Sequence, residues 1–339
     1  MDKDKTLNLY GIEIIVEYSD NQLESSLSSL SQLFCSIPNN PFRGKDSSPL
    51  YLKFSNSTIS IPDGCKLISD KQSLLRLHQL DEFVYISYKK SMLQIDFTNE
   101  TVMGHFEESV FKFPRMISHA FILTAIVMLL HSRKLFYLHA AALENAGNGY
   151  LFVGQSGSGK STNTMHLVES GWNYLSDDIV LLQQKENKEI SVHSFPGDFK
   201  FNDNFINQPS KDYLKEHIYD VPFNEKKHID IQKIYPNQFV QYSTPNTVIF
   251  PQIVDEPTTR LVPTTHINAL TYLLQQSPYI FLPHRFKQLH LDVLKDLIKQ
   301  SDCYLLLSGK DLLNNPGKLS KIIEAVLNNN VKEDSLCGN

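Results

Sequence analysis

Apolar and polar positions in the first 110 residues alternate in the manner of strands. Leu7–Glu17 (LNLYGIEIIVE) and Val84–Phe97 (VYISYKKSMLQIDF) are rich in β-branched and aromatic residues, partly alternating, with turn residues around them. Between them, leucines at 23, 27, 30 and 33 recur at helical spacing beneath a serine-rich face, which predicts a helix packed on a sheet.

From Pro114 the pattern changes. A helical stretch runs to His131, and its apolar run Ala120–Leu130 falls short of the roughly 20 residues a bilayer demands, so it reads as a buried core helix. Then follow a strand over Leu135–Leu143, a turn at Asn145–Asn148, a strand over Gly149–Val153 and a helix to about Ser170. A break at Gly171, a strand over Tyr174–Leu182 and a polar hairpin loop over Gln183–Glu189 come next. Residues 203–243, rich in Asn, Lys, Asp and Tyr, read as a surface excursion or lid. The chain returns to strand at Thr247–Ile253 and Cys303–Ser308, with helices at Ile267–Leu274, Lys287–Lys299 and Leu319–Leu327. Strand and helix alternating around a glycine-rich loop predict an α/β fold. The expected division is a strand-rich domain over 1–110, a larger domain over 111–330 and a frayed tail over 331–339.

The strongest chemical signal is Gly154-Gln155-Ser156-Gly157-Ser158-Gly159-Lys160-Ser161-Thr162, a G-x-x-x-x-G-K-[ST] loop behind an apolar strand and ahead of a helix. Its glycines let successive N–H groups turn inward, and the helix N-terminus adds positive potential, so phosphate oxygens meet many donors. Lys160 is placed to reach the β- and γ-phosphates, and the Ser161 hydroxyl to ligate Mg²⁺. These features imply ATP and Mg²⁺ as cofactors.

Asp177-Asp178 closes the next strand, where an acid for the metal is expected. Two carboxylates in a row suit two tasks, metal binding and proton removal from an attacking hydroxyl, or one task and one exposed acid. His139, alone among apolar residues, reads by itself more often as a satisfied core histidine than as a site residue. Cations that could face a transferring phosphoryl group are Lys200, Lys226, Lys227, Arg260 and Arg285, each otherwise a solvated charge; Lys226-Lys227 and Arg285 are the preferred ones. The segment His193–Phe201 could wall an acceptor pocket or form a plain turn.

Composition narrows the partners. A formal charge of −5 gives no basic footprint for nucleic acid or an anionic membrane. Cys35, Cys65, Cys303 and Cys337 lack metal or disulfide spacing, and the N-terminus has no apolar signal region, so a cytoplasmic location is expected. A homo-oligomer is compatible with the sequence.

Residues Leu138–Val180 resemble the catalytic domain of HPr kinase/phosphorylase and its relatives. The residues that carry the likeness are His139, Gly154–Ser161, Gly171 and Asp177-Asp178, together with their spacing. The resemblance implies a P-loop core of the HPr kinase/phosphoenolpyruvate carboxykinase type. It also implies a kinase whose acidic pair serves metal binding and proton transfer; of the two ways to share these tasks, Asp177 as base and Asp178 on Mg²⁺ is the one preferred here. In layout the chain is similar to HPr-kinase-like proteins found with ribosomal peptides such as lasso peptides, through Lys134–Ala140 and Phe250–Ile253. The function so implied is transfer of the γ-phosphate to a serine-type hydroxyl of a peptide, protein or small molecule. An ATPase without an acceptor and a non-catalytic nucleotide-binding scaffold are the alternatives.

Overall fold

Along Leu50–Phe54, Leu50, Leu52 and Phe54 are buried while Tyr51 and Lys53 are exposed. That period of two builds a sheet with one face turned to a core. The protein, described from a computed structural model over residues 3–35, 48–69, 75–195, 197–221 and 225–326, is an α/β fold. It forms two compact units, one of residues 1–137 and 279–291, the other of 138–278 and 292–339.

In the first unit the strands are β1 (Lys3–Leu9), β2 (Ile12–Tyr18), β3 (Leu50–Phe54), β4 (Lys66–Ser69), β5 (Arg76–Leu80), β6 (Phe83–Tyr88), β7 (Ser91–Asp96) and β8 (Thr101–His105). They lie in the order β1-β2-β3-β8-β7-β6-β5-β4, with β2/β3 and β3/β8 parallel and the rest antiparallel. Both predicted strands prove to be hairpins. The first turns at Tyr10 (φ 56°) and Gly11 (φ 83°), where the Gly11 N–H donates to Asn8 Oδ1 at 2.9 Å. A two-residue hairpin loop needs positive φ at both positions, and a tyrosine there hid the turn from sequence reading.

Helix α1 (Leu23–Cys35) buries Leu23, Leu27, Leu30 and Phe34. Phe34, not Leu33, completes its inner stripe. Helix α2 (Met116–Arg133) opens as a π-helix over Met116–Leu123 and is mostly buried; among the described residues it is the one helix long and apolar enough to cross a membrane. The units divide at Tyr137/Leu138 and not at residue 110. The reason is packing: α2 lies against α1 and β7 of the first unit, where its apolar side chains find their neighbours.

Strand β9 (Leu135–Leu138) leads into the second unit, where β10 (Ala140–Asn145), β11 (Asn148–Val153), helix α3 (Lys160–Glu169), β12 (Asn173–Ser176), β13 (Val180–Gln184) and β14 (Ile190–Ser194) follow. Next come β15 (Phe199–Phe201), α4 (Asp203–Ile206), β16 (Ile218–Tyr219), β17 (Lys227–Ile229) and β18 (Tyr242–Ser243). The chain then runs through β19 (Pro245–Ile253), β20 (Arg260–Pro263), α5 (His266–Gln275), α6 (His284–Gln300) and β21 (Asp302–Ser308) to a helix over 318–326.

A six-stranded sheet, β12-β10-β11-β19-β21-β20, holds the P-loop strand β11 between β10 and β19. β11/β19 and β19/β21 are parallel, so the carboxyl end of β11 opens onto the loop before α3. That is where open α/β sheets place ligands. β13 and β14 form a separate antiparallel hairpin, and β15, β17 and β16 a three-stranded sheet.

Three expectations are corrected. Leu135–Leu143 is two strands broken at His139, and Tyr174–Leu182 is two strands broken at Asp177–Ile179, because β10 and β12 stay in the six-stranded sheet while the chain on the other side of each break leaves it. The 203–243 segment is not merely a surface excursion. Phe205, Ile206, Leu214, Ile229 and Ile231 join Tyr150, Phe152, Met165 and Trp172 in one buried cluster. The expected frayed tail, 331–339, lies outside the described residues.

Trp172, the sole tryptophan, is buried against Tyr150 with ring centroids 4.6 Å apart and donates from Nε1 to Ser320 Oγ at 2.9 Å. Trp172→Ala is expected to destabilise the second unit by about 3–5 kcal/mol, read by denaturant unfolding followed by circular dichroism. A loss below about 1 kcal/mol would show that this cluster does not hold the unit together.

Candidate functional site

The loop after β11 is shaped by its glycines. Gly157 and Gly159 take φ of 86° and 96°, and a Cβ on Gly154 would stand 2.7 Å from Ser158 Oγ. A side chain at any of the three is strained or obstructed. The loop closes with a bond from the Ser158 N–H to the Gln155 carbonyl at 3.2 Å, and α3 starts at Lys160. Gln155, Ser156 and Gly157 stay exposed, so the loop backbone is open to a ligand. Ser161 and Thr162 are half-buried in the first turn of α3.

Lys160 is buried and folds back over the loop, donating to the carbonyls of Gly154 at 2.5 Å and Gln155 at 3.3 Å. Burial pulls its ammonium below the ordinary lysine value, against the opposing pull of Asp177 and Asp178. A site that combines a desolvated ammonium, a glycine cradle and a helix N-terminus is suited to bind phosphate oxygens.

Asp177 is buried at 4% exposure, and its Oδ1 has no hydrogen-bond partner. Ser161, the Lys200 main chain and the Lys160 charge work to lower its pKa. Burial, with the charge of Asp178 adding to it, pushes Asp177 up to about 6.

Asp178 is balanced differently. Burial works to raise it, but the Lys200 ammonium and His139 outweigh burial and hold the carboxyl well below the usual range. Lys200 Nζ donates to Oδ2, and His139 Nδ1 lies 3.0 Å from Oδ1 and 2.8 Å from the Asp178 carbonyl oxygen. Facing two acceptors, Nδ1 carries the proton in the neutral ring, which leaves Nε2 as the basic nitrogen. Burial depresses Lys200, yet Asp178 prevails and raises it. Lys160, Ser161, His139, Asp177 and Asp178 thus meet in one cluster within the second unit.

The preferred cations fare less well. Lys226 Nζ donates to Ser156 Oγ at 3.4 Å, beside the loop. Lys227 turns to Asp220 at 2.8 Å, and exposed Arg260 pairs with Glu256 at 2.6 Å, so neither points to the acidic pair. Arg285 belongs to the first unit, and its side chain lies outside the described residues. Lys200 is the cation that meets the carboxylates. In Phe199-Lys200-Phe201 both phenylalanines are buried, so the lysine between them faces the other way; the sequence shows the alternation but not which face meets the carboxylates. Also overlooked was Asn163, whose buried Nδ2 has no partner and whose N–H donates to the Gly159 carbonyl at 2.9 Å.

Residues 105–212 match the family model described as ScmC, SynChlorMet cassette protein ScmC. Among solved structures the chain is similar to the Hpr(Ser) kinase/phosphatase from Coxiella burnetii, at 13% identity and a TM-score of 0.34, over 60% of this chain and 99% of that one. None of the curated proteins matches the chain.

The raised Asp177 has a measurable consequence. Its folded value lies above the ordinary 3.8, so the ionised carboxyl opposes folding: stability is greatest below about pH 4 and declines as the pH rises through about 6. In metal-free buffer at about pH 7.5, Asp177→Asn is expected to stabilise the protein by on the order of 1–3 kcal/mol, and at about pH 4 to change little, as read by thermal melts. A variant less stable at both values would show that the carboxylate is a net structural asset.

Proposed function

We propose that this protein is an ATP- and Mg²⁺-dependent kinase that transfers the γ-phosphate to a serine-type hydroxyl. The observation that carries the reading is the junction of the P-loop's Lys160 and Ser161 with the buried Asp177 and its neighbour Asp178. A nucleotide-binding loop alone serves many reactions; the paired carboxylates beside it add what hydroxyl phosphorylation requires.

Asp177 is the proton acceptor in this reading. It has an uncommitted buried oxygen, and a value near 6 leaves it ionised and basic enough to take a hydroxyl proton near neutral pH. Asp178, fixed by Lys200 and His139, is ionised at every working pH. Ser161 and Asp178 would hold Mg²⁺. The donor set fits a hard cation: it is all oxygen, and among the described residues no group of three His, Cys, Asp or Glu forms a closed metal cage. Two protein oxygens with phosphates and waters are the usual share for this ion. When bound, Mg²⁺ neutralises charge on the phosphates.

The matched family's name places its members in a cassette, and this supports an acceptor made within the same cassette. A ribosomal precursor peptide of the lasso type is the acceptor we put first. The chain is taken to act without nucleic acid or membrane partners, in the cytoplasm.

The test is incubation with γ-labelled ATP and the peptides encoded beside the gene. Label on a serine of a peptide supports the kinase; free phosphate with no labelled acceptor identifies an ATPase, and nucleotide binding without turnover a scaffold. Lys160→Ala is expected to lower turnover by about 10²–10³-fold. Unchanged binding and turnover in that variant would remove the central claim. Asp177→Asn is expected to lower kcat by about 10²-fold or more with ATP affinity within about threefold of wild type, because a base acts on the nucleophile and not on the nucleotide. Equal loss of both would move Asp177 to the metal.

A further inference from the structure

Lys200 meets the acidic pair directly: its ammonium donates to Asp178 Oδ2, and its charge is coupled to Asp177 as well. The residue is fixed from both sides in sequence. Phe199 and Phe201 are buried in the core of the second unit, and Lys200 pairs across the sheet with His228 of β17. Lys160 of the P-loop is coupled electrostatically to the same two carboxylates, so the two ammonium groups belong to one charged cluster.

Phosphoryl transfer creates a charge conflict in that cluster. The transferring group carries negative charge spread over three oxygens, and it must approach two adjacent carboxylates closely enough for Asp177 to reach the acceptor hydroxyl. An ammonium has three donors, and Lys200 uses one on Asp178 Oδ2. The others are available for phosphoryl oxygens without loss of the Asp178 contact. A cation anchored before the substrate arrives stabilises the transition state with little reorganisation. Lys226, by contrast, reaches the loop at Ser156.

We infer that Lys200 is a catalytic cation that bridges Asp178 and the phosphoryl group in flight. This rests on the kinase reading above. In the step, the acceptor oxygen bonds to the γ-phosphorus as the bond from γ-phosphorus to the β,γ-bridging oxygen breaks. ADP leaves with that electron pair, and the hydroxyl proton passes to Asp177. Lys200 neither gains nor loses a proton.

The experiment compares calorimetric affinity for ADP with affinity for ADP plus aluminium fluoride, which mimics the phosphoryl group in transfer, in Mg²⁺ buffer with the full chain. Lys200→Met is expected to bind ADP within about threefold of wild type, to lose about 100-fold in affinity for the aluminium fluoride complex, and to lose a similar factor in kcat. Lys200→Arg, which keeps the charge, should recover at least about a tenth of the lost activity. Lys200→Gln gives the same comparison if the methionine variant does not fold. An unchanged ratio of the two affinities, even with both weakened together, overturns the inference and leaves Lys200 a structural partner of Asp178. A wild-type chain that binds neither ADP nor ATP overturns the kinase reading, and this inference with it.

Discussion

Two adjacent carboxylates, Asp177 buried and Asp178 half-buried, set the electrostatics of the second unit's candidate site. Each loses hydration on burial, and each raises the cost of ionising the other. The protein divides the problem. Asp178 receives the Lys200 ammonium and the His139 N–H and stays ionised, while Asp177, buried and with one oxygen lacking a hydrogen-bond partner, is pushed up to about 6. Identical side chains one residue apart thereby acquire different acidities, the separation that acid–base chemistry uses.

This arrangement depends on two interruptions. β9 gives way to β10 at His139, and β12 gives way to β13 after Ser176. Had either strand run straight through, successive side chains would alternate across the sheet and His139 would not meet Asp178. The breaks bring Nδ1 of His139 onto both the carbonyl and the carboxylate of Asp178. β10 pairs with both β11 and β12, so the three elements that bear the histidine, the P-loop and the acidic pair are neighbours in one sheet.

The segment after the acidic pair completes the site from the other direction. Phe199, Phe201, Phe205 and Leu214 give it a place in the core, and Lys211, buried and bonded to both oxygens of Glu169, ties it to the last turn of α3. A region whose composition reads as surface is thus held by a few well-spaced aromatic and aliphatic anchors, and it is this region that presents Lys200.

By itself the sequence determined the features that are local. The strand-loop-helix of Gly154–Ser161 is legible because glycine freedom, the lysine and the serine act within eight residues, and the α/β class follows from periodicity. The stripe of α1 and the buried character of α2 were legible for the same reason. Tertiary structure decided what depends on partners far along the chain: the hairpin at Tyr10-Gly11, the strand breaks at His139 and Asp177, and the packing of α2 that sets the division between units. It also decided which cation matters. Lys226, Lys227, Arg260 and Lys200 carry the same charge, and no pattern of charges distinguishes them. Only the pairing of β15 with β17 and the burial of the phenylalanines on either side turn Lys200, and not the others, onto the carboxylates.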